Sequence, residues 1–171
     1  MSVQSAGDPE TGAPELLKLN LGCGPSVMAG FVNVDIVPLP GTDLVADLDQ
    51  PWPWPDGTVG EIIASHLFEH VNDPLLFMAE AWRVLADDGI LDIRVPYYRH
   101  IFAFTDPTHK RFCTELTFDY WVPGQGLHEG YGPGFGSVKG GPRFAYHEKL
   151  KLVGQQGEEM RAILRKIGDD D

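Results

Sequence analysis

Basic side chains are scarce in this sequence: 13 Lys and Arg stand against 25 Asp and Glu in 171 residues, a formal net charge of −12. Nucleic-acid binding draws its affinity from Lys and Arg neutralising phosphates, so this balance disfavours a nucleic-acid partner. Two short basic clusters, His109 to Arg111 and Lys149 to Lys151, sit among acidic neighbours and read as solvated surface. Cysteine is nearly absent, and Cys23 and Cys113 supply neither a disulfide framework nor a metal-ligand spacing; both are expected as reduced thiols. No run of about 18 apolar residues exists to cross a bilayer as a helix, so no membrane partner is expected. Residues 1–15 lack the basic start and apolar stretch of a signal peptide and read as a disordered leader of a cytoplasmic protein.

Residues 16–171 suffice for one layered domain and are too few for two, so one site is expected. Leu16 to Leu21 is a short apolar run ending at Gly22, as a buried parallel strand meets a turn. Phe31 to Val37 is a second strand carrying Asp35 and stopped by Pro38. Gly22 to Gly30 is too short for the usual crossover helix of about ten residues or more. A third strand is expected over Asp43 to Asp47 and a fourth over Glu61 to Ser65, with a proline-rich loop carrying Trp52 and Trp54 between them. The two tryptophans read as packing rather than a stacking platform. Asp73 and Pro74 suit the N-cap and first position of a helix, with Leu76, Ala79, Ala81, Trp82 and Leu85 as its apolar stripe and Gly89 as its end. Ile90 to Val95 predicts a fifth strand. Thr114 to Trp121 reads as partly helical, and Gly124 to Gly141 as a mobile loop rich in Gly and Pro. Phe144 to Val153 alternates as a strand. Glu158 to Ile167 fits a helix or a strand, and a closing hairpin is preferred.

A strand ending in Gly22-Cys23-Gly24, an acid on the next strand and Asp47 after a third are laid out as a doubly wound α/β sheet binds an adenosine-containing ligand at its carboxyl edge. Gly22 and Gly24 allow close backbone approach, and Asp35 can accept from both ribose hydroxyls. A dinucleotide site would want G-x-G-x-x-G and an acid about twenty residues on. Here Gly22 is followed by C-G-P-S-V and the acid comes thirteen positions later, which argues against a nicotinamide cofactor.

Five stretches carry a resemblance: L-N-L-G-C-G, N-V-D-I, A-D-L, S-H-L-F-E-H-V entering a helix, and D-P-T-H-K-R with T-F-D-Y after it. Together they resemble the class I S-adenosylmethionine-dependent methyltransferases of the small bacterial type, from Leu16 to Ile167. The resemblance implies a Rossmann-like, mostly parallel sheet with a C-terminal antiparallel hairpin, here with a truncated first crossover helix. It further implies that Leu21, Gly22, Cys23 and Gly24 line the methionine end of S-adenosylmethionine and that Asp35 holds its ribose. Ile36 and Leu48 would sandwich the adenine with Asp47 near its amino group, while Ser65 and His66 close the pocket. The near-absent crossover helix leaves one wall thin, to be completed by a loop, a second copy or a partner chain.

His66, Glu69 and His70 fall where the fourth strand leaves the sheet, and His66, His70 and His109 are the candidate catalytic histidines, able to act as bases if the acceptor must lose a proton. The plainer expectation has His70 bonded to backbone and Glu69 exposed. Two imidazoles and a carboxylate also occur as His100, Asp106 and His109, but their spacing matches no zinc motif. Asp106 is instead expected to cap a turn and His109 to hydrogen-bond beneath the site, with no metal. Tyr97 and Tyr98 remain candidates for an acceptor pocket. The expected activity is methyl transfer to a small molecule at oxygen or nitrogen; a cofactor-binding module without efficient catalysis is the rival.

Overall fold

A computed structural model describes residues 15–125, 142–154 and 157–168. The expected leader, apart from Glu15, and the expected loop beyond Gln125 lie outside the described residues. Among the described residues seven strands form one sheet in the order β3-β2-β1-β4-β5-β7-β6. The strands are β1 (Leu17–Leu21), β2 (Val32–Asp35), β3 (Leu44–Val45), β4 (Val59–Ser65), β5 (Leu85–Pro96), β6 (Phe144–Val153) and β7 (Glu159–Lys166). The first five run parallel, and β7 is antiparallel to both β5 and β6. The sheet is thus the expected mostly parallel one with a C-terminal hairpin, and the strand reading of Glu158 to Ile167 is correct. Helices among the described residues are few: α1 (Pro74–Val84), the single turn α2 (Phe102–Thr105) and a 3₁₀ segment at Thr117–Trp121. None among the described residues is long and apolar enough to cross a membrane.

Strand alternation divides the sheet into two unlike faces. Cross-strand partners Leu19 and Ile62, Ile62 and Leu91, Leu91 and Leu164, with Leu21, Ala64, Ile93 and Ala162 in the next row, are all fully buried. They join one core with Phe77, Met78, Ala81 and Val84 of α1 and with Trp52, Trp54, Phe68, Phe118 and Trp121. On the opposite face Lys18 pairs with Glu61 at 2.9 Å, and Arg161 grips Asp92 through two bonds of 2.9 and 2.7 Å.

Asp73 caps α1 as expected, its carboxylate accepting from the amides of Leu75 and Leu76. Two expectations for this helix fail. Its buried stripe runs through Phe77, Met78, Ala81 and Val84, so Leu76, Ala79 and Trp82 are only partly covered. Gly89 does not end it: Leu85 is already extended (φ −63°, ψ 136°) and starts β5. Register with β4 jumps from Val59–Leu85 to Glu61–Ile90, so Ala86 to Gly89 is a bulge inside the strand. A Cβ at Gly89 would lie 2.8 Å from the Ala86 carbonyl oxygen.

Between β1 and β2 there is no helix, as the short spacing predicts. Side chains of the sheet hold this connection instead. Asn33, 6% exposed, accepts from the Met28 amide at 2.8 Å and from the Asn20 amide group at 2.9 Å, and donates to Met28 and Phe31 carbonyls and to Asp43. Asn20, 4% exposed, also donates to the Ser26 carbonyl at 2.9 Å. Hydrogen bonds from the backbone and side chain of Asn33 hold the Asp43 carboxyl below its ordinary range.

Asn33→Ala removes the acceptor for several of these groups and is expected to cost at least about 2 kcal/mol, read from urea unfolding. Because the folded pKa of Asp43 is lowered, its stabilising contribution is full above about pH 4 and is lost as pH falls through the lower folded value. The acid-side loss of stability is accordingly expected to be shallower in Asn33→Ala than in the parent chain, checked by urea midpoints across that range.

Candidate functional site

The carboxyl ends of β1, β2, β3 and β4 open into a cleft of about 350 Å³. Its floor is Gly22, with Asp35 and Ile36 from the end of β2 and Ala46 to Asp49 after β3 on one side. His66, Leu67, His70, Val71 and Lys110 form the other. Gly22 (φ +63°) and Gly24 (φ +49°) both require the left-handed region, and a Cβ on Gly22 would lie 3.0 Å from Leu67 Cδ1. The turn brings the Gly24 amide onto Asp35 Oδ2 at 2.8 Å, while Asp35 Oδ1 accepts from the Val37 amide at 3.0 Å. Two ionised oxygens offer about four acceptor positions, so this carboxylate retains capacity for further donors.

Of the other residues expected here, Ile36 is 64% exposed and Leu48 is 8% exposed; both border the cleft, as does Asp47. Asp47 Oδ1 accepts from the Asp49 amide at 3.0 Å, folding the chain back toward the site. Leu21 and Cys23 are buried beneath the floor, and neither they nor Gly24 and Ser65 are among the residues lining the cleft. Leu21 belongs to the core, and Cys23 Sγ lies 3.9 Å from Thr42 Oγ1.

His66 leaves β4 with φ +54°, unusual for a residue with a side chain. Its ring sits between two acids, Nδ1 3.3 Å from Glu69 Oε1 and Nε2 3.0 Å from Glu159 Oε1. The contact with Glu69 raises its pKa most, burial opposes, and Glu159 raises it further, so the imidazolium is favoured.

His66, Glu69 and His70 lie in a turn, because α1 begins only at Pro74. Two expectations are corrected here. Glu69 is not exposed but 1% accessible, with no hydrogen bond to either carboxylate oxygen among the described residues. His70 is bonded not to backbone but to Thr108 Oγ1, through Nδ1 at 3.0 Å. The D-P-T-H-K-R segment is clamped onto this turn. The Lys110 amide donates to the Glu69 carbonyl at 2.8 Å, Lys110 Nζ reaches Asn72 Oδ1, and the Arg111 guanidinium donates to the carbonyls of Phe68 and Val71 while lying over the Phe68 ring. Asp106 caps its turn as expected, accepting from the amide and hydroxyl of Thr108. His109 Nδ1 meets the Ala103 carbonyl at 2.9 Å, the hydrogen bond expected of it, and its ring stands 4.8 Å from that of His70.

Tyr97 is buried, its hydroxyl donating to Glu115, which pushes the phenol up to about 12; neither Tyr97 nor Tyr98 is among the cleft-lining residues. Asp49, Leu67, Val71 and Lys110 were not anticipated. Asp49 and Lys110 are tied together through Asn72, which gives its amide and side-chain NH₂ to Asp49, and no local spacing announces that link. Burial pushes the Cys113 thiol up to about 12, with Glu69 adding to the effect. In the native protein Cys113 is therefore expected to resist an aromatic disulfide reagent at about pH 8 and to react only on unfolding, followed by mass spectrometry of the labelled peptides.

Residues 19–93, which include most of the cleft, match the methyltransferase domain family. No curated protein matches the chain. Solved structures share its fold at low identity. An S-adenosylmethionine-dependent methyltransferase from Archaeoglobus fulgidus is 16% identical with a TM-score of 0.58, over 88% of this chain and 86% of that one. Another from Aquifex aeolicus is also 16% identical, with a TM-score of 0.57 over 89% and 82%. A chain of the complex between the Haloferax volcanii Trm112 methyltransferase activator and a methyltransferase is 12% identical, with a TM-score of 0.59 over 90% and 85%. The strand order and the glycine turn facing an acid on β2 are those of the fold these S-adenosylmethionine-dependent methyltransferases share, and residues 19–93 carry the match to the methyltransferase domain family.

Proposed function

We propose that this chain transfers a methyl group from S-adenosylmethionine to a small-molecule acceptor at oxygen or nitrogen, with residues 16–171 acting as one unit. The observation that supports it best is Asp35, a carboxylate with spare acceptor capacity held at the cleft by the Gly24 amide. In this reading Asp35 takes the ribose hydroxyls, Ile36 and Leu48 flank the adenine, and Asp47 meets its amino group. Gly22 faces the methionine end, with Leu21, Cys23 and Gly24 setting the course of its turn from outside the cleft lining. His66 closes the far side, carried there by Ser65 at the end of β4.

When bound, the cofactor supplies a methyl group already activated on a sulfonium, so the chain's own task is alignment and the exclusion of water. His66, with one acid at each ring nitrogen, serves better as a fixed positive group than as a base. His70 borders the cleft and uses only Nδ1 toward Thr108, leaving Nε2 for a proton or another electron-pair acceptor. His109 stands behind it.

A partner-completed site is the second reading, favoured by the absence of a crossover helix between β1 and β2. The Haloferax volcanii complex is a precedent for a methyltransferase with an activator chain.

Titration calorimetry with S-adenosylmethionine, its demethylated product and NAD tests both. The first two are expected to bind and NAD is not. Asp35→Ala is expected to lower affinity at least about 10-fold, since one hydrogen bond to a charged group contributes about 1.5–3 kcal/mol. Cofactor binding without turnover on any acceptor would favour a binding module, affinity rising with protein concentration a partnered site, and no binding by the intact chain would defeat the methyltransferase reading.

A further inference from the structure

Among the described residues Glu69 is the one buried carboxylate with no hydrogen bond at either oxygen. Burying a carboxylate without hydrogen bonds is costly, and such groups are ordinarily paired or bound to a metal. Glu69 is 1% exposed and neither oxygen has a hydrogen-bond partner among the described residues; its ion pair is with the His66 ring, 3.3 Å from Oε1, which Glu159 shares from the other ring nitrogen. Beside it stand His70 and His109, and one donor atom from each of the three side chains lies within 4.8 Å of the other two.

The tautomers of both rings follow from their partners. The Ala103 carbonyl can only accept, so His109 Nδ1 carries the proton and Nε2 keeps its lone pair. The Thr108 hydroxyl donates its one proton to Asp106 Oδ1 at 2.6 Å, so toward His70 Nδ1 it can only accept, and His70 likewise keeps its lone pair on Nε2. A metal-ligating histidine characteristically gives its other ring N–H to a carboxylate, a backbone carbonyl or a water. His109 shows the carbonyl arrangement and His70 reaches Asp106 through Thr108.

We propose that Glu69, His70 and His109 form a binding site for a divalent first-row transition cation of the Zn²⁺ class. Two imidazoles and one carboxylate suit such an ion, whereas Mg²⁺ and Ca²⁺ prefer an all-oxygen set. Zinc bonds of about 2.0–2.2 Å place tetrahedral ligand atoms about 3.4 Å apart, so from separations within 4.8 Å the ion draws the donors together by up to about 1.4 Å. Both histidines are only partly buried, so the segments that carry them can close over that distance while each ring keeps its Nδ1 partner. Three protein ligands leave positions open, and His70 borders the methyl-transfer cleft as well, so the site adjoins the place where the acceptor would lie. The proposal departs from the expectation of no metal. It also makes His70 a ligand rather than a base, and the two roles exclude each other at Nε2.

The test is titration of the full chain, prepared without a histidine tag and stripped with chelator, with Co²⁺ followed by its visible absorption and then displaced by Zn²⁺. Glu69→Gln, His109→Ala and the remote, exposed His147→Ala are compared, each checked for folding by circular dichroism. One Co²⁺ per chain is expected, with affinity falling more than about 100-fold in Glu69→Gln and His109→Ala and unchanged in His147→Ala. Zn²⁺ is expected to raise the thermal midpoint of the parent chain and not of those two variants. Should Glu69→Gln fail to fold, His109→Ala decides alone. Absence of Co²⁺ and Zn²⁺ binding by the parent chain, or affinity within about threefold of it in a folded Glu69→Gln or His109→Ala, overturns the proposal. Neither S-adenosylmethionine nor turnover enters the titration, so its failure leaves the methyl-transfer reading standing.

Discussion

Asn33 is the side chain on which the cofactor edge of the sheet depends. The chain must pass from β1 to a parallel neighbour in a stretch too short for a crossover helix, and the backbone groups of such a loop still need partners. Asn33 and Asn20 supply them from within the sheet, and Asp43 closes the network from the next connection. With that loop fixed, Gly22 and Gly24 can hold left-handed conformations and present the Gly24 amide to Asp35. The geometry of the cleft floor is therefore set by two buried amides in place of the helix a parallel crossover usually carries.

A second clamp, independent of the first, builds the other wall. Arg111 and Lys110 pin residues 106–111 to the turn after β4, satisfying carbonyls of Phe68, Glu69 and Val71 that no helix serves, since α1 starts only at Pro74. Burial lowers the Arg111 pKa, yet its guanidinium stays matched to carbonyls and to the Phe68 ring, so its charge is accommodated. The same clamp carries Thr108 and His109 to His70 and shuts Glu69 away from water.

Much of the sheet was legible because its strands are short, apolar and bounded by glycine or proline. Phe144 to Val153 coincides with β6, and the Asp73-Pro74 start of α1 is a strong local signal. The errors occur where one local signal serves two structures. Gly89 looks like a helix stop and is a bulge residue: a helix end wants glycine for a left-handed φ, whereas here the Ala86 carbonyl leaves no room for a Cβ. Of the stripe assigned to α1, only Ala81 and Leu85 are buried, because the face turned to the core is decided by what the sheet offers, Phe68 and Trp52 beside Phe77.

The sequence by itself determined the fold class, the missing crossover helix and the pairing of a glycine turn with Asp35, because strand period, loop length and the φ > 0 requirement of glycine are local properties. Tertiary structure alone decided that Glu69 is buried, that His109 stands against His70 and that Lys110 borders the cleft. Those contacts join segments about 40 residues apart through carbonyls of one turn and a guanidinium of another, and no spacing along the chain encodes which of them meet.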